Sequence, residues 1–158
     1  MQKNRNGFTM IEMVFVIVVL GILAAIAVPR FAATRTDADI TKGRSDIAAI
    51  RSAIVTERQG RIIQGCSQFI PNGTTTFTCP DGSTHEEMDN GGLFGGVLMY
   101  PIANDTSTPK RNGHWSATAG SGTYVFRVNN DSTTFIYNAN DGTFNCTAGS
   151  NQCDLLTN

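Results

Sequence analysis

The sequence predicts an α+β fold: a long N-terminal helix, transmembrane in its first half and amphipathic in its second, packed on a small antiparallel β-sheet head. Three observations carry this. Residues Phe8 to Val28 are apolar apart from Thr9 and Glu12. Beyond them, Ile40, Ile47, Ile50 and Ile54 fall within a narrow arc at about 100° per residue, the pattern of an amphipathic helix. In the second half, Tyr124, Phe126 and Val128 alternate on one face of a candidate strand, and Phe135 and Tyr137 do so on the next. A length of 158 residues favours one folded domain.

The chain opens with the short basic stretch MQKNRNG, charged through Lys3 and Arg5. The apolar run that follows is about 30 Å long as a helix, enough to cross a bilayer, and the basic residues before it belong on the cytoplasmic side. Three readings compete. A plain membrane anchor is one. A secretory signal peptide is another, because Ala25-Ile26-Ala27 has the small-x-small form of a signal-peptidase site, although Pro29 sits awkwardly after it. The third is a processed leader followed by a helix that does more than anchor. Glu12 separates them. A carboxylate inside an apolar run costs about 3 kcal/mol on insertion scales and gives a simple anchor nothing in return, so it calls for a partner.

Gly7-Phe8-Thr9-Met10-Ile11-Glu12 resembles the processing motif of type IV prepilins and type II secretion pseudopilins. The resemblance is tight over residues 7 to 31 and fades towards residue 60. It implies a leader of residues 1–7, cut between Gly7 and Phe8 by a prepilin peptidase that also methylates the new amino terminus. Phe8 and Glu12 then become assembly residues, and Gly21 and Pro29 match the family's helix-weakening positions. In filaments of that family the acid is thought to pair with the first residue of the adjacent subunit, and the helix between Gly21 and Pro29 is often partly melted. Cleavage creates a positive amino group four residues before Glu12. A buried charge that becomes paired only on docking favours assembly and fixes register. Losing Lys3 and Arg5 takes the side-chain balance from 12 basic against 13 acidic to 10 against 13.

The expected organisation is therefore leader 1–7, transmembrane and assembly helix 8–29, amphipathic helix 30–62 and disulfide-bonded β-rich head 63–158. In the amphipathic helix Asp39, Asp46 and Glu57 flank the isoleucine stripe on one side, and Arg44, Arg51 and Arg58 on the other. The stripe is expected to cover the head's sheet. The flanks are read either as solvated surface or as faces that meet between neighbouring subunits. Pro29 removes a backbone donor and should kink or open the helix. Gly43 is a third weak point, and the helix should end near Gly60 or Gly65. Residues 30–61 carry seven basic and four acidic side chains, and residues 62–158 carry three and eight.

In the head, strands are expected over Thr75–Cys79, Gly96–Met99, Thr123–Val128, Thr133–Asn138 and Thr143–Cys146. Asn129 to Ser132 reads as a hairpin loop and Asn140-Asp141-Gly142 as a second turn. Ser83 to Glu86 fits a capping box, which places a short helix over 84–89. Trp115 belongs in the core or at its rim. Four cysteines, Cys66, Cys79, Cys146 and Cys153, suggest two disulfides in an exported chain. Of the three pairings, Cys66–Cys79 with Cys146–Cys153 is preferred because each closes a short loop. Zinc is the competing reading, weakened by the lack of a C-x-x-C pair and by the distance of His85 and His114 from any such spacing.

Enzymatic signals are missing. Two histidines and no G-x-S-x-G leave no nucleophilic triad, and the glycine run 91–96 has no phosphate-binding lysine. No cofactor is expected. Asn138, Asn140 and Asp141 faintly resemble a calcium loop without the bidentate glutamate. No nucleic-acid partner is expected, because the basic stripe lies on the helix and the head is acidic. The sequence reading is a filament subunit rather than an enzyme, held in the bacterial inner membrane as a single-pass protein with its head in the periplasm. Its partners would be the prepilin peptidase, copies of itself, minor pilins or pseudopilins, and an inner-membrane assembly platform. Ala38 to Ile50 is similar to the post-membrane helix of major pseudopilins in type II secretion, which inclines the reading towards a secretion or related DNA-uptake pseudopilin. The Cys146–Cys153 loop is similar to that of type IV pilins, the alternative. A soluble exported domain released after Ala27 is the rival from another class.

Overall fold

The computed structural model describes residues 7–150 and 152–157. The leader residues 1–6, with Lys3 and Arg5, lie outside the described residues. The described chain begins in helix α1 (Met10–Ile63), followed by β1 (Thr76–Thr78), β2 (Thr84–Glu86), β3 (Trp115–Ala117), β4 (Thr123–Val128), β5 (Asp131–Asn138), β6 (Thr143–Cys146) and the short α2 (Cys153–Thr157). Two compact units result, one ending at Asp37 and the other starting at Ala38.

The first unit is the apolar part of α1. Its large side chains from Phe8 to Phe31 are exposed throughout. This is the segment of α1 that is long and apolar enough to cross a membrane. Gly21, Pro29 and Gly43 all lie within the helical span of α1, which ends at Ile63, between the two expected stops.

In the second unit, β3-β4-β5-β6 form an antiparallel sheet in that order, and β1 and β2 form a separate hairpin. Strand alternation does what the sequence requires. Tyr124, Phe126 and Val128 on β4, and Thr133, Phe135 and Tyr137 on β5, are buried on one face. The β4–β5 connection is tighter than expected. Val128 pairs with Asp131, so the loop is Asn129-Asn130 alone. Both residues are left-handed, with φ of 48° and 67°, the geometry of a two-residue hairpin turn whose twist matches the strands. Ile47, Ile50 and Ile54 of α1 pack into this face with Trp115, Phe135 and Phe144.

The isoleucine stripe thus covers the sheet, and the flanking charges are tied largely to their own head. Asp46 accepts the Trp115 indole N–H at 2.9 Å. Arg44 and Arg51 donate to the Leu155 and Phe144 carbonyls at 2.6 and 3.1 Å. Arg58 lies over the Phe69 ring at 3.3 Å. Gly43 is a seat rather than a weak point: a Cβ there would stand 2.6 Å from Phe126 Cε1 and 2.8 Å from Leu156 Cδ2.

Both disulfides join the expected partners, Cys66 to Cys79 and Cys146 to Cys153, with Cα separations of 5.5 and 6.0 Å. Two expectations for the head need correction. Residues 84–86 are strand β2, not the start of a helix, because Asp81-Gly82 turns the chain back and Thr84 to Glu86 pair with Thr76 to Thr78. Residues 96–99 form turns: Phe94 sits at φ 60°, and Val97 and Leu98 donate to its carbonyl. Strand β3 and helix α2 had no counterpart in the sequence reading.

Buried polar groups organise the remaining loops. The Asp89 carboxylate accepts the Phe94 N–H and the Tyr124 hydroxyl at 2.9 Å on one oxygen, and the Gly120 N–H at 2.8 Å on the other. Burial, and then the neighbouring Asp89 charge, raises the Tyr124 phenol far above its ordinary value. Burial likewise pushes Tyr137 up to about 12, with its hydroxyl donated to the Ile70 carbonyl. Arg61, only 1% exposed, pairs through Nε with Glu57 at 2.8 Å and donates through Nη2 to the Glu86 and Gly96 carbonyls.

Candidate assembly site

The residues singled out at the N-terminus are brought together by the first turn of α1. Thr9 directly precedes the helix and Glu12 is its third residue. Glu12 Oε2 accepts the Thr9 backbone N–H at 2.9 Å and the Thr9 hydroxyl at 2.8 Å, while the Glu12 N–H donates to Thr9 Oγ1 at 3.3 Å. This reciprocal arrangement is a capping box, in which two orphan donors of the helix start are satisfied by side chains. The Thr-x-x-Glu spacing was legible in the sequence. Its signal was hidden because Glu12 was weighed only as a charge in an apolar run.

Glu12 therefore has a local role: it caps the helix start, with its carboxylate exposed. Phe8, Ile11, Phe15 and Val16 surround it in a shallow hollow of about 380 Å³. Gly7 shows the opposite property. Among the described residues, a Cβ added there would meet nothing within 4 Å. The same holds for Gly21.

The other candidate chemistry in the chain is used internally. His85, Cys66 and Cys79 bring ligand atoms within 4.8 Å of one another, but the two sulfurs are bonded together, leaving no thiolate pair for zinc. The loop weighed for calcium closes on itself. Asp141 accepts from the Thr143 N–H and hydroxyl on one oxygen and from the Asn138 amide on the other. Those bonds, led by the Thr143 hydroxyl, hold the Asp141 carboxyl below the usual carboxylate range.

A capped apolar helix with its side chains unburied, followed by a disulfide-closed antiparallel head, defines a class: a small β-rich head preceded by a helix long and apolar enough to cross a membrane. The comparisons with known proteins agree. The family model described as the prokaryotic N-terminal methylation motif matches residues 2–28. The chain is 42% identical over 88 residues to the type IV narrow pilus major component PilA5 of Thermus thermophilus, covering 51% of this chain and 76% of that protein. It is 32% identical over 110 residues to the type IV major fimbrial protein FimA of Dichelobacter nodosus, covering 66% and 68%. It is 47% identical over 55 residues to the type II secretion system core protein G of Aeromonas hydrophila, covering 34% and 38%. No solved structure matches. The chain belongs to the type IV pilin and type II secretion pseudopilin family, a family of structural filament subunits.

Proposed function

We propose that this chain is a prepilin, cut between Gly7 and Phe8, methylated on Phe8, and polymerised through its N-terminal helix into a type IV pilus. The carrying observation is the unburied apolar length from Phe8 to Phe31, with Glu12 as its single acid. Such a surface is stable only in a bilayer or against copies of itself. In this reading α1 waits in the inner membrane with the head in the periplasm. Glu12 then exchanges its Thr9 contacts for the amino group of a neighbour's Phe8, and the segment between Gly21 and Pro29 loosens on assembly. The partners are a prepilin peptidase, further copies, minor pilins and an inner-membrane assembly platform. The role is structural and needs neither a cofactor nor a nucleic acid.

Pilus rather than secretion machinery is favoured by how far the likeness extends. Matches of 88 and 110 residues to pilus proteins, covering 51% and 66% of this chain, are longer than the stretch up to the end of α1 at Ile63 and so reach into the head. Matches to secretion core proteins G extend over only 53 to 55 residues and span 35% to 38% of those proteins. A second reading, a pseudopilin of a secretion or DNA-uptake system, rests on the 47% identity within that shorter stretch.

Intact mass and N-terminal sequencing of the protein from its native host test the processing. A chain starting at methylated Phe8 is the expected result, and one starting at Val28 would overturn the reading. Gene deletion separates the machines: loss of surface pili marks a pilin, and loss of secretion or transformation with pili intact marks a pseudopilin.

A further inference from the structure

The second unit carries an apolar protrusion on one side of α1 and an apolar groove on the other. Met99 and Tyr100 are 88% and 82% exposed. They are not on a loose tip: the Leu98 N–H donates to the Phe94 carbonyl at 2.8 Å and the Ile102 N–H to the Leu93 carbonyl at 2.9 Å, fixing the backbone on both sides. The groove is lined by Ile54, Val55, Ile62 and Phe69, with Arg58 and Asp141 at its edge, and has a volume of about 330 Å³. A cavity of about 150 Å³ already accepts a benzene ring, so this groove has room for a tyrosine or methionine side chain.

Their placement on the helix is the informative part. Met99 lines a hollow together with Glu57, Arg61 and Glu86. At about 100° per residue, Glu57 falls on one side of the Ile50–Ile54 line, Arg61 on the line itself, and Val55, Arg58 and Ile62 on the other side. Protrusion and groove therefore lie on opposite flanks of the same helical segment. Beside the protrusion Arg61 and Glu57 pair with each other, leaving Glu86, while in the groove Arg58 lies over Phe69 with Asp141 at the edge. A self-complementary surface on one face would close a two-fold dimer. A protrusion on one flank and its receptacle on the other make a heterologous contact that continues as an open helical assembly.

We propose that Met99 and Tyr100 of one copy insert into the Ile54–Val55–Ile62–Phe69 groove of the next, with Glu86 meeting Arg58. This rests on the filament-subunit reading and adds a head-to-head contact distinct from the Phe8–Glu12 pairing. Tyrosine and methionine suit it: tyrosine buries a large ring while keeping its hydroxyl hydrogen-bonded, and methionine adapts to an irregular groove.

The test is photocrosslinking of the full-length protein in its native bacterium, with a benzophenone amino acid replacing Tyr100. Irradiated filaments should yield crosslinked dimers whose linked peptide contains residues 62–69 of the second copy. Met99→Glu and Ile62→Glu should each lower the assembled fraction about tenfold or more, as central apolar contacts do. Their Trp115 fluorescence and membrane level should stay unchanged. Filaments that form with crosslinks mapping elsewhere, or at normal yield from both variants, would overturn this contact and leave the filament reading intact. A wild-type chain absent from every sheared filament fraction would overturn both.

Discussion

Replacing Asp89 by alanine should cost more than almost any other single change in the head, and the structure gives the size of the effect. Asp89 is 2% exposed and gathers three donors from separate loops: the Phe94 N–H, the Gly120 N–H and the Tyr124 hydroxyl. Alanine leaves all three without an acceptor away from water. Each stranded donor costs about 1–3 kcal/mol, with contacts to a charged group at the upper end. Partial rescue by water brings the expected loss to about 3–6 kcal/mol. Asparagine gives a graded control. Its oxygen replaces the one serving Phe94 and Tyr124, its amide nitrogen faces the Gly120 N–H, and one donor is stranded, for about 1–3 kcal/mol. Denaturant unfolding in detergent, followed by the fluorescence of the single tryptophan, measures both, because Trp115 is buried in the same core. Equal losses for alanine and asparagine, or an alanine loss below about 1 kcal/mol, would refute the reasoning that the three bonds organise these loops.

Other expectations follow from the same geometry. Glu12→Ala should abolish filament assembly, scored in the sheared surface fraction, while leaving the chain in the membrane fraction. Gly43→Val should destabilise the head by about 1–3 kcal/mol, since its branches would enter the Phe126 and Leu156 side chains; Gly43→Ala should cost less, because a gain in helix propensity offsets part of the clash. Asp105 is held far below the usual carboxylate range, chiefly by the Ser107 hydroxyl and then by the Arg111 N–H. Its contribution is therefore fully present above about pH 4, the ordinary aspartate range, and is lost as pH falls through the lowered folded value. Asp105→Asn should flatten the acid limb of a pH-stability curve relative to wild type. Serine replacement of the pair Cys66 and Cys79, separated by 13 residues, should cost about 3 kcal/mol on chain-entropy grounds, against about 2.4 for Cys146 and Cys153, separated by 7. Thermal unfolding with and without reductant ranks the two.

Where a sequence pattern reports a local cause, the fold was legible. The Ile47–Ile50–Ile54 stripe and the alternation along β4 and β5 follow from the periods of helix and strand, whereas the hairpin loop expected over Asn129 to Ser132 is shorter by the two residues that pair. The two short cysteine loops could be paired because closure over a few residues needs little else. Misreadings arose where two local signals competed. Ser83 to Glu86 satisfies a capping box, yet the Asp81-Gly82 turn just before it sends residues 84–86 back along β1, and pairing prevails over a helix of six residues. Gly96 to Met99 has strand composition, but among the described residues no strand pairs with it. Asp89 carried no signal at all. Its role exists only because residues 94, 120 and 124 converge on it in space. At the N-terminus the processing motif is readable from Gly7 to Glu12, whereas the Thr9 contact is masked by the cost of an acid in lipid.

The short C-terminal helix has a practical bearing on how such a subunit can be labelled. Leu156 lies against Gly43, and the Leu155 carbonyl accepts from Arg44, so the last turn of the chain is stitched to the first turns of the second unit. The Cys146–Cys153 bridge keeps it there. A fluorophore or epitope fused beyond Thr157 would emerge beside residues 43 and 44 of the helix, on the element whose flanks are proposed to meet the next copy. It should poison polymerisation.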